Sequence, residues 1–320
     1  MSTPSTPGTP GTSGTSSTPS TASTASTATG RDPSRRSTPR SSAGFWHAAW
    51  YRYRRNRLAL VSGIIAVLLL IVAALASVIA PYGYATQDLS QSLVGPSGSH
   101  LLGTDQLGRD LLSRAIYGAR TSMTIAIGAP LVGALIGIPI GVVSGWFGGI
   151  VDFLTLRAFE VFTMVPQILM ALLLIALFGG GVLKLLLFLG VTAWVGFGRL
   201  ARAQYIALRD RDFVLAARAL GVPTWRIIVV HVMPSAVGPM IVFFVQQIPA
   251  TIFAAAGFSF LGLGVQDPLA DWGKMINDGV QYLSFDLTVA LLPIICIALA
   301  TLTFSFAGDG LRDALDPTAR

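Results

Sequence analysis

A chain of 320 residues that is 52% hydrophobic and only 12% charged is not an ordinary soluble domain, in which about a quarter of residues carry charge. Its net charge of +7 is unevenly placed. Eight of the 22 basic residues precede the first long apolar run, so the excess argues for orientation in a membrane and against nucleic-acid binding. One cysteine, Cys296, excludes an intrachain disulfide, and three widely separated histidines make no metal motif.

Residues 1–42 are Ser, Thr, Pro, Gly and Ala with arginines at the end. They hold too little apolar surface to order themselves, which predicts a disordered cytoplasmic tail. No apolar core follows a basic start, so the stretch does not read as a signal peptide. A tolerated extension is the plain reading, a phosphorylation platform the alternative. Residues 43–57 (GFWHAAWYRYRRNR from Gly44) mix aromatics with arginines. Trp46, Trp50 and Tyr53 share one helical face, predicting a short helix in the headgroup region. Its arginines hold the N-terminus on the cytoplasmic side.

Several later apolar runs reach the ~20 residues needed to cross a ~30 Å hydrocarbon layer. Spanning segments of this kind must be helices. Six are expected: Leu58–Ala80, Thr121–Trp146, Phe153–Phe178, Val182–Tyr205, Ser235–Leu263 and Phe285–Gly308. An inside start and six crossings return the C-terminus, residues 310–320, to the cytoplasm. The segment between spans four and five carries Arg199, Arg202, Arg209, Arg211, Arg218 and Arg226 on the side this topology calls inside. The outer loop between spans five and six has Lys274 against Asp267, Asp271 and Asp278. The first outer loop is a partial exception, with Arg109, Arg114 and Arg120, the first two accompanied by Asp105 and Asp110.

Span two carries Gly133, Gly137, Gly141 and Gly145, each four residues from the last, on one face. Small residues at this spacing let helix backbones approach in a membrane. Tight packing is one reading; a helix sliding beside a permeation path is the other, and the two are compatible. Pro139, Pro166, Pro249 and Pro293 fall inside spans, where neighbours can re-satisfy the freed backbone or a kink can serve as a hinge. Asp152, Arg157 and Glu160 cluster at the cytoplasmic entry of span three. Arg157 and Glu160 are i, i+3 neighbours able to pair, and they are candidates for a gate as well as for a structural pair. His100 and His231 read as lone exposed or helix-end histidines. Cys296 reads as a buried structural thiol.

The segment 209–235 is the most telling. DFVLAARALGVPTWRIIVVHVMPSAVGP reads as a short helix, a Gly-Val-Pro break, a second short helix and a Pro stop. Ala216, Ala217 and Ala219 leave room for another protein to pack closely. Gly221 can take the positive φ that ends a helix, and Pro223 follows. There is no GxxxxGK[ST] loop and no Gly-x-Ser-x-Gly elbow, so neither ATP chemistry nor that hydrolase chemistry is expected here.

This segment resembles the cytoplasmic coupling loop of ABC importer permeases. RRNRLALVSG (54–63), HLLGTDQLGRDLLSRAIYGARTSM (100–123), AGFSFLGLGVQDPLADWG (256–273) and GDGLRDALDP (308–317) extend the likeness over about residues 45–317. Together they resemble the C-type permease subunit of dipeptide, oligopeptide and nickel ABC importers. The resemblance implies an all-α polytopic fold of the type I ABC importer kind, with its transmembrane domain over 121–309 after a first span and outer loop over 58–120. It implies a homologous B-type permease, two ABC ATPases that bind ATP and Mg, an extracytoplasmic binding protein and surrounding lipid. No cofactor is expected on this chain, which reads as a transport subunit and not an enzyme. Asp212, Ala216, Ala217, Gly221 and Pro234 would couple to the ATPase. Leu215 stands where the motif usually has Glu, and Asp212 is the carboxylate one turn earlier. The same machine carrying nickel or another metal chelate is a rival reading, and an ATPase-independent channel or scaffold is another.

Overall fold

The computed structural model describes residues 42–315, so the expected tail lies outside the described residues except for Ser42. The regular secondary structure of the described residues is helical, apart from one isolated bridge between Thr104 and Asp110. The helices are α1 (Ser42–Arg55), α2 (Arg57–Ala74), α3 (Ala76–Ile79), α4 (Leu111–Phe147), α5 (Gly149–Met164) and α6 (Gln167–Phe178). They continue as α7 (Val182–Leu208), α8 (Asp212–Ala219), α9 (Thr224–Arg226), α10 (Met233–Phe260), α11 (Trp272–Val280) and α12 (Thr288–Leu315). A π-helical turn, Ile227–Val232, joins α9 to α10. Five helical segments are long and apolar enough to cross a membrane, and α5 with α6 makes a sixth when counted as one bent span.

The basic-aromatic start is helical, as its spacing predicts, and the Trp50 and Tyr53 rings stack at 6.2 Å. Asn56 then caps α2 by accepting from the Leu58 and Ala59 amides. The first span is shorter than expected: α2 stops at Ala74 and a single turn, α3, follows.

Helix α4 begins ten residues before the expected start, at Leu111, because the Asp110 carboxylate caps it through the Ser113 amide. Arg114 and Arg120 therefore sit on a helix and not in a loop. Helix α4 is 37 residues, about 55 Å, and outreaches a ~30 Å hydrocarbon layer. Its principal partner is α7. A Cβ added to Gly133 would meet the Ala193 methyl at 2.8 Å, and one added to Gly145 would meet the Arg202 carbonyl oxygen at 2.6 Å. At Gly137 and Gly141 it would collide with the carbonyl oxygens of Trp194 and Gly198. The four glycines thus form one seam where two backbones touch.

The third span is not one helix. It breaks at Val165–Pro166, and α5 and α6 meet at a 79° bend. Pro139, Pro249 and Pro293 lie within unbroken helices. The expected Pro stop at Pro234 is also absent: Pro234 sits in the first turn of α10, where a missing N–H costs nothing. The expected second short helix accordingly runs through the π turn into span five. Apolar side chains of α2, α4, α10, α11 and α12 share one buried cluster, and those of α4, α6, α7 and α10 share another.

The seam makes a sharp expectation. Gly141→Leu forces α4 and α7 apart and destabilises the fold by roughly 1–3 kcal/mol, the usual range for overpacking. Gly149→Leu, with open space at its Cβ position, tests the opposite case of backbone strain without collision. Thermal unfolding of the purified protein in detergent checks the ranking, Gly141→Leu being the lower.

Candidate functional site

The segment between α7 and α10, expected to be cytoplasmic, is built around a capped turn. Helix α8 ends in a Schellman arrangement: the Val222 amide donates to the Ala217 carbonyl at 3.1 Å and the Gly221 amide to that of Arg218 at 2.9 Å. Gly221 closes it at φ +74°, a conformation that strains any residue with a Cβ. Pro223 follows as the residue before α9.

Only one side of α8 faces the protein. Val214 and Ala217 are buried among Trp146 of α4, Ala201 and Tyr205 of α7, Val232 of the π turn, and Ala236 and Met240 of α10. The Arg218 guanidinium lies over the Trp146 ring at 5.0 Å. The Tyr205 hydroxyl donates to the Ile228 carbonyl at 3.3 Å. Ala217, expected on the free small-residue face, is turned inward and 6% exposed. Asp212, Ala216, Ala219, Gly221 and Pro234 are exposed, so four of the five coupling candidates share the open surface with them excluded from the core. The residues missed by sequence reasoning are the apolar ones beside them: Leu220 at 83% exposure and Trp225 at 66%. A bare Leu and Trp among arginines is the signal that marks them.

The expected cluster of Asp152, Arg157 and Glu160 splits in two. Asp152 turns to α7, accepting from Arg202 Nη2 at 2.7 Å and from the Ser144 hydroxyl of α4 at 2.6 Å. This ties α4, α5 and α7 together just inside the cytoplasmic turn. Arg157 pairs instead with Glu160 at 2.6 Å on an exposed surface.

On the opposite side, the two outer segments close on each other. Arg109, 1% exposed, bonds Asp105 through Nε at 2.5 Å and approaches Asp267 at 3.4 Å and Asp278 at 3.8 Å. Lys274 reaches Asp267 at 3.0 Å and Asp278 at 3.2 Å. Asp271 caps α11, a helix the outer loop was not expected to contain, and accepts from the Ser122 hydroxyl of α4 at 2.9 Å. Burial pushes the Asp271 carboxyl above its ordinary range, against the pull of hydrogen bonds from Ser259, Ser122 and two backbone amides. Trp272 Nε1 donates to the Ala115 carbonyl at 3.0 Å. His100, expected to be exposed, is buried with its ring nitrogen 3.0 Å from Asp110, beside the cap of α4. Its neighbour ten residues on supplies the partner that local spacing hid. His231 does lie in a helical turn, partly exposed.

A multi-span helical chain clamped on one side of the membrane and presenting an apolar, arginine-rimmed helix on the other has the architecture of a membrane transport subunit. Residues 137–320 match the family described as binding-protein-dependent transport system inner membrane component. Residues 44–96 match the N-terminal TM domain of oligopeptide transport permease C. The chain is 38% identical over 285 residues to the dipeptide transport system permease protein DppC of Bacillus subtilis (strain 168), covering 89% of each. It is 37% identical over 281 residues to the oligopeptide transport system permease protein OppC of the same organism, covering 88% of this chain and 92% of that one. To the glutathione transport system permease protein GsiD of Pectobacterium atrosepticum it is 36% identical over 273 residues, covering 85% and 91%. A solved inward-facing structure of the MetNI methionine ABC transporter is similar in fold, with TM-score 0.50 and 19% identity over 64% of this chain and 96% of that one. The chain belongs to the family of binding-protein-dependent transport system inner membrane components.

The outer network yields its own test. Arg109→Met leaves Asp105 buried without its main partner and costs about 3–5 kcal/mol, the range for a broken buried pair. The double variant Arg109→Met, Asp105→Leu regains most of that loss. Chemical unfolding of both variants in detergent measures the difference.

Proposed function

We propose that this chain forms half of the translocation path of an ATP-driven importer of di- and oligopeptides in the cytoplasmic membrane. A homologous second permease supplies the other half, two ATPase subunits supply the energy and an extracytoplasmic binding protein delivers the cargo. Both termini face the cytoplasm, a reading that rests on the arginines gathered around 199–226.

The observation that carries this reading is the two-sided character of α8. Its inner side is locked to α4, α7 and α10 through one apolar cluster. Its outer side is left bare at Leu215, and so are Leu220 in the turn that follows and Trp225 of α9. Exposed aromatic and aliphatic anchors ringed by arginines are the usual makings of a protein contact. An ATPase seated there would grip the apolar anchors and complement Arg211, Arg218 and Arg226. ATP-driven closure of the ATPase pair then moves α8, and α8 moves three spans as one body. The cavity between the two permeases opens alternately to each side. In this scheme Leu215 replaces a salt bridge by an apolar contact. Peptide cargo is favoured over a metal chelate by the relatives, which are named for dipeptide, oligopeptide and glutathione transport. Arg157 and Glu160 remain the candidates for a charged point along the path.

Co-expression with the genes of a second permease, two ATPases and a binding protein tests the assembly. Trp225→Ala and Leu220→Asp are expected to lower ATPase retention about tenfold or more, as loss of an interface anchor does. Gly221→Ile should cut substrate-stimulated ATP hydrolysis and uptake together, because it deforms the turn that orients α8. Retention, hydrolysis and uptake all unchanged in these variants would sink the coupling role. Uptake of labelled dipeptides, longer peptides and nickel by the wild-type complex decides the cargo.

A further inference from the structure

Three charged side chains lie at one level in the inner part of the bundle, on a surface this chain leaves uncovered. Arg157 and Glu160 are about 12 and 17 Å along α5 from Gly149, and Arg199 is about 14 Å up α7 from Leu208. The two reference ends are level, because Arg209 Nη1 donates to the Gly145 carbonyl at 3.3 Å beside the start of α5. The Arg199 guanidinium rests 5.9 Å from the centre of the Phe159 ring, between Arg157 and Glu160 in sequence. All three charged residues are exposed, and Arg157 and Glu160 pair with each other. Among the described residues Arg199 has no carboxylate within ion-pair distance.

Exposed apolar side chains bracket this level along α5, Phe153 and Leu154 on one side and Val161 and Met164 on the other. Charges in such a belt are costly against lipid and normally face a bundle interior or water. Below Arg199, Ala203 and Ala207 are exposed on the same face of α7. Their small side chains leave space running from the guanidinium to the cytoplasmic end. An exposed, unpaired guanidinium with a planar fork of donors is suited to a carboxylate.

We propose that Arg199 binds the C-terminal carboxylate of the peptide in transit, with Glu160 placed to receive its N-terminal ammonium as the Arg157 pair opens. This rests on the peptide-import reading above and adds a specificity determinant to it. A zwitterionic peptide is then preferred over its amidated analogue. No bond is made or broken; the peptide exchanges water for these groups and is released toward Ala203 and Ala207.

The test uses the complete reconstituted complex in proteoliposomes with a peptide and its C-terminally amidated analogue, each saturating the binding protein. Arg199→Gln is expected to lower uptake of the free acid about tenfold, as loss of one charge-assisted contact does. Amide uptake and stimulated ATP hydrolysis should change less than about twofold, and Arg199→Lys should keep part of the acid preference. Equal loss for acid and amide, or no loss for either, overturns the proposal. Loss of the second permease on purification of Arg199→Gln also overturns it, by showing that the arginine pairs across the subunit boundary. Wild-type complex that takes up neither peptide refutes the import reading itself and is told apart by that control.

Discussion

The seam between α4 and α7 is the contact on which the rest of the molecule depends. In lipid, apolar side chains gain nothing by leaving one apolar medium for another, so association rests on close van der Waals fit. Gly133, Gly137, Gly141 and Gly145 supply that fit by removing every side chain that would hold α4 off the backbone of α7. The arrangement has a mechanical result. Helix α4 outreaches the hydrocarbon layer, and its ends are fixed separately. Trp272 and Asp271 hold it outside through Ala115 and Ser122, while Trp146 and Ser144 hold it inside through Arg218 and Asp152. The continuous helix links the two sets of contacts directly.

Charge is arranged to complement that helix. In the outer network Arg109 and Asp105 are removed from water, Asp278 is half-buried and Asp267 is exposed. Burial makes such a network costly to break but a modest source of net stability. Its evident contribution is geometric: it sets α11 against the outer turns of α4 in one register. The inner pair, Asp152 with Arg202, is partly open to solvent and joins α5 to α7. Each side of the membrane therefore has a polar clasp on α4 or its neighbours, and the seam lies between them.

What could be read from the chain depended on the range of the interaction. Apolar runs revealed the spans because hydropathy is local. The Gly-Val-Pro break at 221–223 revealed its turn because one positive-φ glycine is sufficient cause. The glycine stripe showed that a close contact exists, but nothing in its spacing named α7 as the partner. Pro166 was indistinguishable from Pro139, Pro249 and Pro293, since whether a proline breaks a helix depends on what re-satisfies the backbone around it. Ala216, Ala217 and Ala219 look alike in sequence, and only docking against Trp146 and Val232 separates the buried one. The partners Asp267 and Asp278 of Arg109 lie far along the chain, so local charge patterning offered only Asp105 and Asp110 as its companions. His100 and Asp110 are separated by a turn whose geometry brings them back together.

The contrast between α4 and the α5–α6 pair follows from the same economy. Helix α4 buries residues along its whole length, whereas α5 buries Phe159 and α6 buries Ala171. Helix α5 is nonetheless fixed at its base by Asp152 and held to α7 by Phe159, which packs on Gly198 and sits 5.3 Å from Trp194, ring centre to ring centre. Beyond Pro166 α6 leaves at its bend and meets α7 again through Ala171. The bare surface of α5 thus belongs to a helix with a firm back and a free front. On the import reading this is the wall a cargo would meet: a rigid body moved from α8 carries its face past the solute, and the charges on that face keep their depth while it moves.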